Sequence, residues 1–170
     1  FYPKGNDIMG PAVSLVGRSI GQDFALNKEG WRMYHGEHVP GFPAHPHRGF
    51  ETVTIVTKGL VDHSDSLGAA GRFGNGDVQW MTAGAGLLHK EYHEENFSKT
   101  GGRFQMVQLW VNLPAKDKKT KPKYQEITQS MMGGAFLPDG KSFIEIIAGE
   151  YNGVKGPAFT FTPIQLYNAR

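Results

Sequence analysis

The chain has no cysteine among its 170 residues. That excludes disulfide staples, zinc–thiolate sites, iron–sulfur clusters and cysteine nucleophiles, and it fits a reducing compartment. No run of about 18 apolar residues occurs, so no helical membrane span is expected. Neither charge sign dominates: 18 basic residues stand against 16 acidic ones, a net of +2. This balance does not suggest a nucleic-acid partner. Helical periodicity is nearly missing as well. Only Glu126 to Met132 reads as a short helical stretch.

Glycine, by contrast, is abundant, with 23 residues, about twice the usual share of roughly 7%. With 10 prolines and 11 phenylalanines it points to many turns between short strands. Glu51 to Thr57 is a β-branched run and the clearest strand. Asp77 to Met81, Leu87 to His93, Ser142 to Ala148 and Phe159 to Ile164 read as further strands, and Ala12 to Val16 as a weaker one. Arg103 to Leu113 alternates, with Val107, Leu109, Val111 and Leu113 expected on the buried face. The expected fold class is therefore all-β, a sandwich or barrel. Lys116 to Lys123 carries five lysines. No aromatic interleaves them as single-strand binders require, so a solvated connector is expected.

Chemistry concentrates in the histidines. His45-Pro46-His47 puts two imidazoles at i and i+2, on one face of an extended strand. Pro46 favours that extension. Alone, such a pair is more often an unliganded surface feature. His89-Lys90-Glu91 repeats the spacing with one nitrogen and one carboxylate. Together the pairs offer three nitrogens and one oxygen, which suits a divalent metal and leaves positions open for substrate or oxygen. The Gly84-Ala85-Gly86 stretch is not a dinucleotide loop, because His89 occupies the third glycine's place and no helix is expected after it.

Gly41-Phe-Pro-Ala-His-Pro-His-Arg-Gly-Phe-Glu-Thr-Val-Thr54 resembles the first signature of the pirin family, within the cupin superfamily. Gly76-Asp-Val-Gln-Trp-Met-Thr-Ala-Gly-Ala-Gly-Leu-Leu-His-Lys-Glu91 resembles the second. Gln108 to Leu113 and Tyr124-Gln-Glu126 are similar to pirins too. The resemblance implies a double-stranded β-helix barrel, a cupin, as the N-terminal half of a bicupin. Residues 1–130 would form the metal-binding domain, and residues 131–170 a linker and the first strands of a truncated second barrel. The start at Phe1 and the end at Arg170 fit a shortened chain.

The resemblance places the metal ligands on His45, His47, His89 and Glu91. It implies one divalent metal, Fe(II) first, with Mn, Co, Ni, Cu or Zn accepted by the same donors. Glu51, a ligand position in the wider cupin pattern, is read as a supporting residue. Two departures from the general cupin pattern fit pirins: seven residues, not six, separate Glu51 from Gly59, and Thr82 replaces a proline. Arg48, Phe42, Phe50 and His93 are further candidates for the surroundings of the site. His35, His38 and His63 receive no role and are expected at the surface or a pocket rim. Some pirins resemble quercetin dioxygenases, so a small aromatic substrate, a flavonol, and O2 are expected, with Glu91 as the base. The alternatives are a redox-sensing partner of transcription factors or metabolic enzymes, and a metal-binding barrel with another small substrate. The expected location is cytoplasmic, or nuclear in a eukaryote.

Overall fold

Strand residues with branched and aromatic side chains, punctuated by glycine turns, dominate the computed structural model, which describes Asp7–Ile8 and residues 41–170. In chain order the strands are β1 (Asp7–Ile8), β2 (Gly41–His47), β3 (Phe50–Lys58), β4 (Leu60–Asp65), β5 (Ala70–Gly74), β6 (Val78–Thr82) and β7 (Leu87–His93). After helix α1 (Glu95–Thr100) come β8 (Gly102–Arg103), β9 (Gln105–Asn112), β10 (Lys123–Ile127), β11 (Gly133–Phe136), β12 (Phe143–Ala148), β13 (Glu150–Tyr151), β14 (Val154–Lys155) and β15 (Leu166–Ala169). Helix α1 is one short turn and a half, started by the Glu94 side chain, which accepts the Phe97 N–H at 2.7 Å. Among the described residues no helix is long and apolar enough to cross a membrane. The expected strand at Ala12 to Val16, and His35 and His38, lie outside the described residues.

Two compact units divide the chain. The first comprises residues 1–45, 56–75 and 88–107. It carries the sheet ordered β2-β7-β4-β5 and the two-stranded β1-β8 pair. Its core is Val56, Val61, Phe73 and Phe104, with Phe97 and Met106 packed on them. Gly59 turns β3 into β4 with φ +89°, and a Cβ there would stand 2.8 Å from the Phe104 ring. Both the dihedral and the crowding call for glycine.

The second unit comprises residues 46–55, 76–87 and 108–170. It carries the sheet ordered β10-β6-β3-β9 and the sheet β11-β12-β15. Strand β6 is buried along its whole length. It lies between β3 and β10, with Val53 opposite Trp80 and Ile55 opposite Val78. Val53, Val78, Trp80 and Ile127 share one apolar cluster with Ile147 and Ala148 of β12. The segment beyond residue 131 is thus packed into the same core as the central strands.

Three expectations fail. Residues 159–164 form no strand: Pro163 lacks an N–H, and Phe159 is instead held by Gln125, whose amide accepts its N–H at 2.8 Å and donates to its carbonyl at 3.1 Å. The strand lies further on, at β15. Glu126 to Met132 is not an α-helix. Tyr124 to Ile127 pair with β6, and only Gln129–Met131 coil, as a 3-10 turn. In β9, Val107 is 52% exposed, while Met106 packs on the first core and Leu109 and Val111 on the second. The burial phase changes at Gln108, whose amide turns to donate to Thr54 Oγ1 at 3.0 Å.

Candidate metal centre

Strand β7 inverts the usual hydrophobic pattern. Leu88 is half exposed, whereas His89, Glu91 and His93 are each no more than 5% exposed. Three polar side chains on one buried strand face are costly unless they pair or bind something. Strand β4 answers that face. Its antiparallel register sets Val61 opposite His93, His63 opposite Glu91 and Asp65 opposite His89. His63 is 1% exposed, so of the two places expected for it, the surface or a pocket rim, the surface is excluded. The signal was present in Val61-Asp-His-Ser-Asp65, where residues 61, 63 and 65 alternate onto one face. It was hidden because Asp and Ser are poor strand formers.

In the first unit four groups converge. His89 Nε2 lies 3.1 Å from His45 Nε2, and His89 Nδ1 lies 3.4 Å from His63 Nδ1. His63, His89 and Glu91 each offer a donor atom within 4.8 Å of the others. His63 Nε2 faces Asp65 Oδ2 at 3.6 Å. Burial pushes the His63 imidazole below its ordinary pKa, with the Asp65 charge opposing. Burial likewise pushes His93 down to about 4. These rings are neutral near pH 7, the state in which imidazole can offer a lone pair.

The donor set fits a divalent cation. Two nitrogens about 2.1 Å from one ion, at right angles, sit roughly 3 Å apart, and the His45–His89 separation is 3.1 Å. All donors are nitrogen or oxygen, and the carboxylate and both strand-β7 groups are buried.

The remaining candidates are placed as follows. Strand β2 alternates, with Ala44 and Pro46 exposed, His45 half-buried and His47 buried. His47 belongs to the second unit. There its ring meets Phe50 edge-on at 4.9 Å and Trp110 at 5.5 Å, and Phe50 stacks on Trp110 at 4.7 Å. Trp110 is 67% exposed and was not singled out from the sequence, where it reads only as one face of an alternating strand. Phe42 stands 6.2 Å from His45. With Glu91, His93, Val61, Phe104 and Met106 it lines a cavity of about 20 Å³, room for about one water. His93 also packs edge-on against Phe104 at 4.6 Å. Glu51 is 1% exposed and lies opposite Thr82 on β6, whose hydroxyl donates to Glu51 Oε1 at 2.6 Å. Arg48 is exposed.

Glycine shapes the site too. A Cβ on Gly41 would collide with the Glu91 carbonyl and the Tyr92 backbone, so β2 and β7 approach closely only because residue 41 has no side chain.

A pirin family model matches residues 18–111. A protein of Pseudomonas aeruginosa named "Putative quercetin 2,3-dioxygenase" is 52% identical over 130 residues, covering 76% of this chain and 46% of its own length. Human pirin is 38% identical over 152 residues, covering 87% of this chain and 50% of its own. A crystal structure of a quercetin 2,3-dioxygenase from Acinetobacter baumannii superposes with a TM-score of 0.72 at 51% identity, over 76% of this chain and 45% of that one. The chain therefore spans about half the length of these relatives. It has their all-β, cupin-type fold, and a family match over more than half of its residues places it in the pirin family.

Proposed function

We propose that this chain carries the metal centre of a pirin-type dioxygenase that opens the central ring of flavonols such as quercetin with O2. The observation that carries the reading is the convergence of His45 Nε2 and His89 Nε2 at 3.1 Å, with buried Glu91 two residues along the same strand face. The ligands are His45, His47, His89 and Glu91. His47 joins from β2 by the i, i+2 spacing. The metal is Fe(II), and it would supply Lewis acidity toward the flavonol oxygens and a place for O2 beside them.

The chain's own residues do the rest. Glu91, with one oxygen available beyond the one given to the ion, takes the flavonol hydroxyl proton as general base. Burial of Glu91 and His89 keeps water from competing for that proton. The stacked Phe50–Trp110 pair beside His47 offers an aromatic face of the kind that holds a flat ring system. The relatives' names, quercetin 2,3-dioxygenase among them, support the substrate class. Residues 1–130 form the metal-binding module, and residues 131–170 the linker and opening strands of a second, similar module. The β11-β12-β15 sheet is a sheet of its own, but Ile147 and Ala148 of β12 share the apolar cluster of Val53 and Trp80, so the second module would open on the core of the first.

His47→Ala should lose bound metal and flavonol-dependent oxygen uptake together, with the far-ultraviolet circular dichroism unchanged. A metal-free variant that still consumes flavonol would contradict the reading.

A further inference from the structure

His89 has two ring nitrogens, and each has a partner. Nε2 faces His45 Nε2 at 3.1 Å, and Nδ1 faces His63 Nδ1 at 3.4 Å. A neutral imidazole carries one N–H and one lone pair. If Nε2 gives its lone pair to a cation, the proton sits on Nδ1. That N–H then points at His63 Nδ1, which has to accept. His63 must in turn carry its own proton on Nε2, the atom that faces Asp65 Oδ2 at 3.6 Å. This is longer than a hydrogen bond, yet a carboxylate at that distance favours a proton on Nε2 over one on Nδ1. Asp65 is itself held in place: its Oδ1 accepts the Leu67 N–H at 2.8 Å and the Ala69 N–H at 3.0 Å. The β4–β7 register, with Asp65 opposite His89 and His63 opposite Glu91, builds this arrangement.

We infer that His63, oriented by Asp65, is a positioning residue that fixes the Nδ1–H tautomer of His89 and so aims His89 Nε2 at the metal. It is not a ligand itself. The inference rests on the metal-centre reading above and deepens it. Groups placed this way behind a ligating histidine are typically worth 10- to 100-fold in metal affinity.

The test is zinc binding by the full chain, with ¹⁵N-resolved histidine spectra of the zinc-loaded protein. In the wild type, His89 should show a metal-bound Nε2 and a protonated Nδ1, and His63 a protonated Nε2 with no metal-bound nitrogen. His63→Leu removes the acceptor and should weaken zinc binding about 10- to 100-fold. His63→Asn keeps an acceptor near the place of Nδ1 and should restore affinity to within a few-fold of wild type. Asp65→Asn keeps the turn through its carbonyl but presents an N–H to His63, so it should weaken zinc about tenfold without loss of fold; it serves if His63→Leu does not fold. A wild type that binds zinc through His63, or His63→Leu and Asp65→Asn variants that bind as tightly as wild type, overturn the inference and leave the metal centre standing. A wild type that binds no zinc overturns both.

Discussion

Thr82→Val replaces a hydroxyl by a methyl of nearly the same size in the middle of the second unit. Thr82 is fully buried and Glu51 is 1% exposed, and the Thr82 hydroxyl donates to Glu51 Oε1 at 2.6 Å. The two residues are directly opposite on β6 and β3, so neither can move away without disturbing the ladder. The substitution leaves a buried carboxylate oxygen without that donor. Hydrogen bonds to carboxylates contribute about 1.5–3 kcal/mol, and the group left behind cannot regain water. A loss of about 2 kcal/mol is expected, which for a chain of this size is a fall in Tm of roughly 4–8 °C. The assay is thermal and urea unfolding followed by circular dichroism, with metal content measured on the same samples. Metal content should stay at the wild-type value, because Glu51 supports β3 rather than the ion. Glu51→Gln should likewise keep the metal, and the Thr82→Val effect should shrink in that background. A Tm change under about 1 °C would refute the energetic argument. Loss of the metal in Glu51→Gln would refute the role given to Glu51.

Ile147→Ala, at a fully buried position in the cluster with Trp80 and Val53, should cost about 2–5 kcal/mol in urea unfolding; a near-neutral result would show that β12 does not belong to that core. Arg72→Ala, by contrast, removes a bidentate contact to Asp62 from a side chain 56% exposed, and should change stability by less than about 1 kcal/mol. Gly41→Val should displace β2 from β7 by collision with the Glu91 carbonyl, weakening metal binding more than it lowers Tm. Equal metal affinity in that variant would contradict the close approach. Trp110→Ala, at an exposed ring, should leave Tm within about 2 °C while raising the flavonol KM several-fold in steady-state oxygen uptake.

Much of the fold was legible where side chains themselves prefer strands. Glu51 to Thr57 read correctly because it is a run of β-branched residues, and Leu87 to His93 because it follows the Gly84-Ala85-Gly86 turn and contains no glycine or proline. Strands β4 and β5 did not, since Asp62, His63, Ser64 and Asp65 are turn formers by propensity, and Gly71 and Gly74 read as turns. Their conformation is imposed by pairing, β4 with β7 and β5 with β4, a tertiary effect that a local window does not contain. Phe159 to Ile164 showed strand-like alternation but is pinned from outside by Gln125. For the site, the i, i+2 spacing nominated His45, His47, His89 and Glu91 as candidates. His63 and Asp65 act across strands, so only the register shows them. Phe50 was a candidate from the sequence, whereas its stacking on Trp110 joins residues 60 positions apart and had no local signal.

The most direct test of the account is bound metal per chain, measured together with quercetin-dependent oxygen uptake on anaerobically purified protein before and after chelation. About one divalent metal per chain is expected, with uptake that vanishes on chelation and returns with Fe(II). Uptake that persists in the metal-free chain, or a metal-loaded chain that consumes no oxygen with quercetin, would contradict it.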